Sequence, residues 1–273
     1  MTTTKVLCAV LAAALMAIGS SRADGAEFTF AVEPSVPPDR AEEIHQPLLE
    51  YLGKATGHTF RLVTSRNYHF YWRDMRANAP VDFSFDEPHF ADYRIQRHGF
   101  EPLARTAEPT VYSLIAQPDY AERGLAGLVG YRVVSMPSPS LGFVLLAHLY
   151  KNPLAQPEIK SEASSWREGV EIVFAGEGEA AMVPLRIAEM YPNLVELRKS
   201  DPLPGTAVLA AAGVAPEVKQ AVRDALLALH EDESLYEVLV EIGANKFEPA
   251  TAAEYAGAQE LLRGVFGYKA AAE

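Results

Sequence analysis

Apolar and polar positions first alternate with a period of two over residues 28–32 (FTFAV), and the pattern stops at Glu33-Pro34. A strand with an exit loop is the expected element there. Residues 39–54 then place Ile44, Leu48, Leu49 and Leu52 at helical spacing. Gly53 and Gly57 close the run, and Pro47 predicts a kink or a late start. A second strand is expected over 60–63, a helix over 70–77 and a third strand over 81–85 (VDFSF). The order βαβαβ predicts a parallel sheet with helices on both faces.

The rhythm then repeats. Residues 110–116 read as a strand, 130–136 (GYRVVSM) as another, and 141–150 as an amphipathic helix. Ser165 and Glu168 have the spacing of a capping box opening a helix that ends near Gly176. A short strand is expected over 179–183 and a returning strand over 206–212. A periodic helix follows over 216–230 with Pro216 at its first position. Helical segments over 235–242 and 252–266 finish the chain. Two α/β lobes result, 24–111 plus 206–273 and 112–205, with the chain crossing near 112 and back near 206. Such a pair forms a hinged cleft.

The first residues carry a different signal. Lys5 precedes a thirteen-residue apolar run, VLCAVLAAALMAI, and Ser21-Arg22-Ala23 has small residues at the −3 and −1 positions of a cleavage site. That is the layout of a secretory signal peptide (1–23), and the run is too short to span a bilayer comfortably. Cys8, the single cysteine, lies early in this run, so a lipoprotein anchor is not expected, and the exported chain would hold its fold without disulfides. Loss of Lys5 and Arg22 takes the formal charge from −12 to −14. Nucleic acid and anionic lipid are therefore poor partners.

Candidate chemistry gathers at strand exits, where open α/β sheets collect ligands. Tyr68, His69, Tyr71 and Trp72 follow the second strand, and Asp86, Glu87 and His89 follow the third. Tyr68 is the aromatic expected to turn its hydroxyl into the cleft, and Asp86 the carboxylate expected to meet a hydroxyl or ammonium. His69, Asp86 and His89 form the alternative, metal-binding set. Tyr112 and Trp166 stand where a lid would be, or are ordinary packing. Ser138 and Ser140 precede the helix at Leu141, where free N–H groups and the helix dipole form an anion site; plain N-capping is the competing reading. The chain has no G-x-S-x-G elbow, P-loop or G-x-G-x-x-G turn after a strand, so neither an enzyme nor a cofactor is expected.

The ordered set PLLEYL (47–52) with Thr56-Gly57, Asn67-Tyr68, VDFSFDEPH (81–89), Tyr112, PSPSLGF (137–143), GEGEAAMVP (176–184), SDPLPG (200–205), LHED (229–232) and FEPAT (247–251) before Tyr255 resembles the phosphate/phosphite/phosphonate substrate-binding proteins of ABC transporters. The resemblance implies a two-lobe type II periplasmic binding protein, each lobe a mostly parallel sheet flanked by helices. It implies a monomer in the periplasm that captures a small polar or oxyanion-bearing ligand for a permease. It also implies that Ser138 and Ser140 hold the oxyanion, with Tyr68, Asp86 and Tyr112 completing the site. A metal-binding or sensory partner protein on the same fold is the alternative, and an exported enzyme with catalytic carboxylates ranks below both. Three positions depart from the family's pattern. Pro139 removes a backbone donor from the serine turn, Asp86-Glu87-Pro88 stands where the family often has Gly-Pro, and Glu179 stands where it usually has Asp. A cleft carboxylate repels a dianion, so the resemblance implies a ligand with a positive group, or one that is not a phosphonate.

Overall fold

In the computed structural model, which describes residues 25–270 except Pro153, the first strand, β1 (Glu27–Val32), lies between β2 (Thr59–Val63) and β3 (Phe83–Asp86) and is parallel to both. The proposed signal peptide falls outside the described residues. Helix α1 (Pro38–Thr56) links β1 to β2, and α2 (Tyr68–Arg76) links β2 to β3. Pro38 occupies the first turn of α1, where a missing N–H costs nothing. Pro47 lies inside the helix without ending it, so the late start does not occur. Asn67 caps α2 by accepting from the His69 and Phe70 N–H groups, which moves the helix start two residues ahead of its expected place.

Helix α3 (Pro88–His98) and strand β4 (Glu101–Thr106) follow. Neither was legible in the hydrophobic pattern. Every residue from Pro88 to Arg94 is buried, so α3 has no apolar stripe opposed to a polar one, and Pro102 and Arg105 mask β4. The first sheet is completed by β10 (Ala207–Ala210), wedged antiparallel between β3 and β4, and by β11 (Phe247–Pro249) on the far edge. Its order is β11-β4-β10-β3-β1-β2.

The second sheet has the order β7-β6-β8-β5-β9, from β5 (Tyr112–Ala116), β6 (Arg132–Val134), β7 (Glu158–Lys160), β8 (Ala180–Pro184) and β9 (Val195–Lys199). Strands β6, β7 and β8 run parallel, and β5 runs against its two neighbours. Helices α4 (Leu141–Leu149), α5 (Trp166–Phe174) and the single turn α6 (Leu185–Ala188) belong to this half. Ser165 caps α5 through the Glu168 N–H, but the Glu168 carboxylate reaches back to the Ser164 N–H, one residue earlier than a capping box requires.

The chain passes between the sheets twice, after β4 and before β10, and the two passages pair through Thr110 and Leu203, whose N–H and C=O groups exchange bonds of 2.9 and 3.0 Å. Gly205 lies in the return passage. A Cβ built there would stand 2.1 Å from the Thr106 carbonyl oxygen, and Tyr255 donates to the Gly205 carbonyl at 2.7 Å. Backbone on both sides cannot yield as a side chain does. Gly205→Ala is expected to cost about 2 kcal/mol by overpacking, read as a lower urea midpoint with an unchanged m-value.

Behind the passages a continuous apolar cluster joins the halves, from Tyr68, Trp72 and Phe90 to Tyr112, Leu141 and Trp166. The carboxyl-terminal part of the chain seals it. After α7 (Pro216–Ala228) and α8 (Tyr236–Ile242), the helix expected over 252–266 breaks. Helix α9 (Ala252–Tyr255) ends before Gly257, whose φ of 92° places it in the left-handed region, and a 3-10 segment, Ala258–Leu262, resumes. The Asp92 carboxylate pins this break by accepting the Gly257 and Gln259 N–H groups at 3.0 and 2.9 Å. No helix among the described residues is long and apolar enough to cross a membrane.

Candidate functional site

A cleft of about 850 Å³ lies between the sheets, bounded by the exits of β1, β3, β4 and β8, by the amino-terminal ends of β5 and β10, and by the first turns of α5 and α6. Its volume suits a small molecule. Glu33 follows β1 directly, and its Oε1 accepts the Glu87 N–H at 2.5 Å. Glu87 occupies the N-cap position of α3 but turns its side chain elsewhere, accepting the Tyr112 hydroxyl on Oε1 at 2.7 Å. Tyr68, at the start of α2, stands beside the Glu33 carboxylate. Two carboxylates and two phenols thus form one cluster, with the Trp166 indole set edge-on to Tyr112 at 5.3 Å.

Burial dominates the protonation of this cluster. It raises the Glu33 carboxyl well above the ordinary range, and the Glu87 and Asp86 charges raise it further. Burial likewise lifts Glu87 to about 7, opposed by the Tyr112 hydrogen bond and the Arg186 charge. Tyr68 and Tyr112 are pushed up by burial and then by the neighbouring carboxylates, so both remain neutral phenols. Arg186, from α6, packs on Gly243 and stays open to solvent on the cleft side, where partial desolvation lowers its pKa against the pull of Tyr112 and Glu87. It makes no ion pair among the described residues. His45 also lines the cleft and is held neutral, its pKa lowered to about 4 by burial.

A sequence model described as ABC transporter, phosphonate, periplasmic substrate-binding protein matches residues 30–255. The chain belongs to this family of periplasmic binding proteins. The fold agrees. One similar structure is a binding protein component of an ABC phosphonate transporter from Pseudomonas aeruginosa, at 18% identity and a TM-score of 0.70 over 87% of this chain and 86% of that one. Another is PhnD1 from Prochlorococcus marinus, solved in complex with methylphosphonate, at 13% identity and 0.73 over 87% and 97%. A third, from Xanthomonas citri and solved bound to ATP, stands at 15% and 0.67 over 87% and 96%. No curated protein matches the chain. As a family member, this binding protein is the periplasmic substrate-binding component of an ABC transporter and not an enzyme.

The structure sorts the expected contacts of this binding protein unevenly. Tyr68 and Tyr112 both line the cleft. Asp86 does not. It is completely buried, accepts Arg94 Nε on Oδ2 at 2.8 Å, and takes the Tyr71 hydroxyl on Oδ1. The expectation failed because one position along a strand exit reverses the side chain: Asp86 is the last residue of β3 and faces α3, whereas Glu87 faces the cleft.

Ser140 is also fully buried. Its hydroxyl donates to the Met136 carbonyl and accepts the Phe143 N–H, which is plain N-capping, and neither Ser138 nor Ser140 lines the cleft. The first turn of α4 is covered by rings, since a Cβ on Gly142 would meet Trp166 at 2.9 Å and Tyr112 at 3.1 Å. The alternative metal set does not assemble. His69 is exposed, Asp86 is paired with Arg94, and His89 Nε2 bonds the Pro139 carbonyl at 2.9 Å. No group of three or more potential ligands that could hold a metal is present among the described residues. Glu33 and Arg186 were missed. The signal for Glu33 was available, because it ends the first strand as Asp86-Glu87 ends the third.

Proposed function

We propose that this binding protein captures a small polar, oxyanion-bearing solute in the cleft between its sheets and hands it to a membrane permease. Tyr68 and Tyr112 are its hydroxyl contacts, and Arg186 meets the anionic end. One observation carries this reading: a single cleft gathers strand ends from both sheets and is lined by a solvent-exposed arginine, Arg186, without an ion-pair partner among the described residues. Residues 24–111 plus 206–273 act as one lobe and 112–205 as the other, closing about the paired passages at Thr110 and Leu203. The exported form is a monomer cut near Ala23.

The methylphosphonate held by the Prochlorococcus neighbour makes phosphonates and phosphite the first compounds to try. In a thermal-shift panel that adds amino acids and amines, a bound solute raises the melting temperature by mass action. Arg186→Ala is expected to weaken the hit by roughly 10- to 100-fold, the size of a charge-assisted contact to an anion. Titration calorimetry giving the same affinity for wild type and variant would remove Arg186 from the site.

A further inference from the structure

Two carboxylate oxygens at the cleft are left without partners. Oε1 of Glu33 takes a backbone N–H and Oε1 of Glu87 takes a phenol, which fixes both side chains in place. Oε2 of each is buried and has no hydrogen-bond partner among the described residues. We propose that this pair seats a cationic nitrogen of the solute, a primary ammonium or a guanidinium, which donates one N–H to each free oxygen. The proposal rests on the cleft being the capture site and names the group that the cleft selects.

Buried carboxylate oxygens carry a desolvation cost until a donor reaches them. The protein's own cations are placed otherwise. Arg94 is engaged with Asp86 behind the cluster, and Arg186 lies beside Glu87 without forming an ion pair to it. The enclosing groups also suit a cation. Tyr68 and Tyr112 adjoin the carboxylates, Trp166 stands edge-on to Tyr112, and aromatic faces attract ammonium and guanidinium groups. An oxyanion finds the reverse at this spot, with Asp86 adding a third negative charge from behind.

The groups around the pair are Tyr68 and Tyr71 from α2, Tyr112 from β5 and Arg186 from α6, with Asp86 of β3, paired to Arg94 of α3, behind them. Together they leave the empty pair partly protonated near neutrality, so a proton occupies the place of the cation. An incoming ammonium or guanidinium displaces it, and binding releases protons.

The experiment is titration calorimetry with matched probes: 2-aminoethylphosphonate against ethylphosphonate, and arginine against citrulline, at pH 6 in two buffers of different ionisation enthalpy. In at least one pair the charged member should bind 10-fold or more tightly and release about one proton. Glu33→Gln and Glu87→Gln, whose amides mimic the protonated carboxyls and so keep the fold, should each erase that preference and the proton release. Equal binding within both pairs, or no binding by either charged probe, overturns the proposal. Binding that ignores both glutamine variants but is lost in Arg186→Ala overturns the cation seat while leaving the cleft as the capture site. Binding indifferent to all three variants overturns both.

Discussion

Arg94→Met should cost this protein 3–5 kcal/mol of stability, the largest loss expected of any single substitution considered. The guanidinium is 4% exposed and the Asp86 carboxylate 0%, so the pair is sealed from water. Removing the cation leaves the Asp86 carboxyl group in a low-dielectric site with only the Tyr71 hydroxyl to answer it. A buried charge robbed of its partner costs more than the pair ever contributed, because the desolvation penalty remains and the attraction does not. For a chain of this size the melting temperature should fall by roughly 10 °C. The double substitution Asp86→Leu with Arg94→Met removes both charges and should recover most of the loss. Solute binding by that double variant, if it folds, should match wild type. A single variant that melts within a degree of wild type would mean that Asp86 does not depend on Arg94 and is free to face the cleft.

The pair also shows what could be read along the chain and what could not. Period-two and period-3.6 patterns located β1, α1, β2, β3, α4, α7 and the two-sheet plan, and the long helices α1 and α7 were plainest because each buries one face and exposes the other. Where both faces are buried, as over Pro88–Arg94, the contrast that makes a period visible is gone. The site was legible at the level of strand exits and no finer. Tyr68 and Tyr112 were found because they sit at the right chain positions. The choice between Asp86 and Glu87 depended on which way β3 faces at its last residue, and that is set by its pairing with β1 and β10 rather than by local composition. Ser140 was ambiguous for a related reason. The same hydroxyl caps a helix or holds an anion, and only the rings of Tyr112 and Trp166 over Gly142 decide for capping.

The pH dependence of stability should set Glu87→Gln apart from wild type by an amount that grows between pH 5 and pH 8. Glu87 titrates near 4.5 when unfolded and at about 7 when folded, while Glu33 is raised as well. The folded state therefore holds protons that the unfolded chain has lost. The stability tied to them is fully present below pH 4.5 and is lost as the pH rises through 7. For a buried carboxyl shifted this far, the loss is on the order of 3 kcal/mol across the window. The glutamine variant has no such proton to lose, so its melting temperature should climb relative to wild type by roughly 5–10 °C from pH 5 to pH 8. Two buried histidines act in the opposite sense. His45 and His89 are held at about 4 and about 3, so their neutral forms contribute stability that falls away as the pH drops below 6.5. Both proteins carry them, and their contribution cancels in the difference between the two melting curves. Parallel profiles for wild type and variant over this range would show that Glu87 ionises like a solvated carboxylate, and that its free oxygen is answered by water.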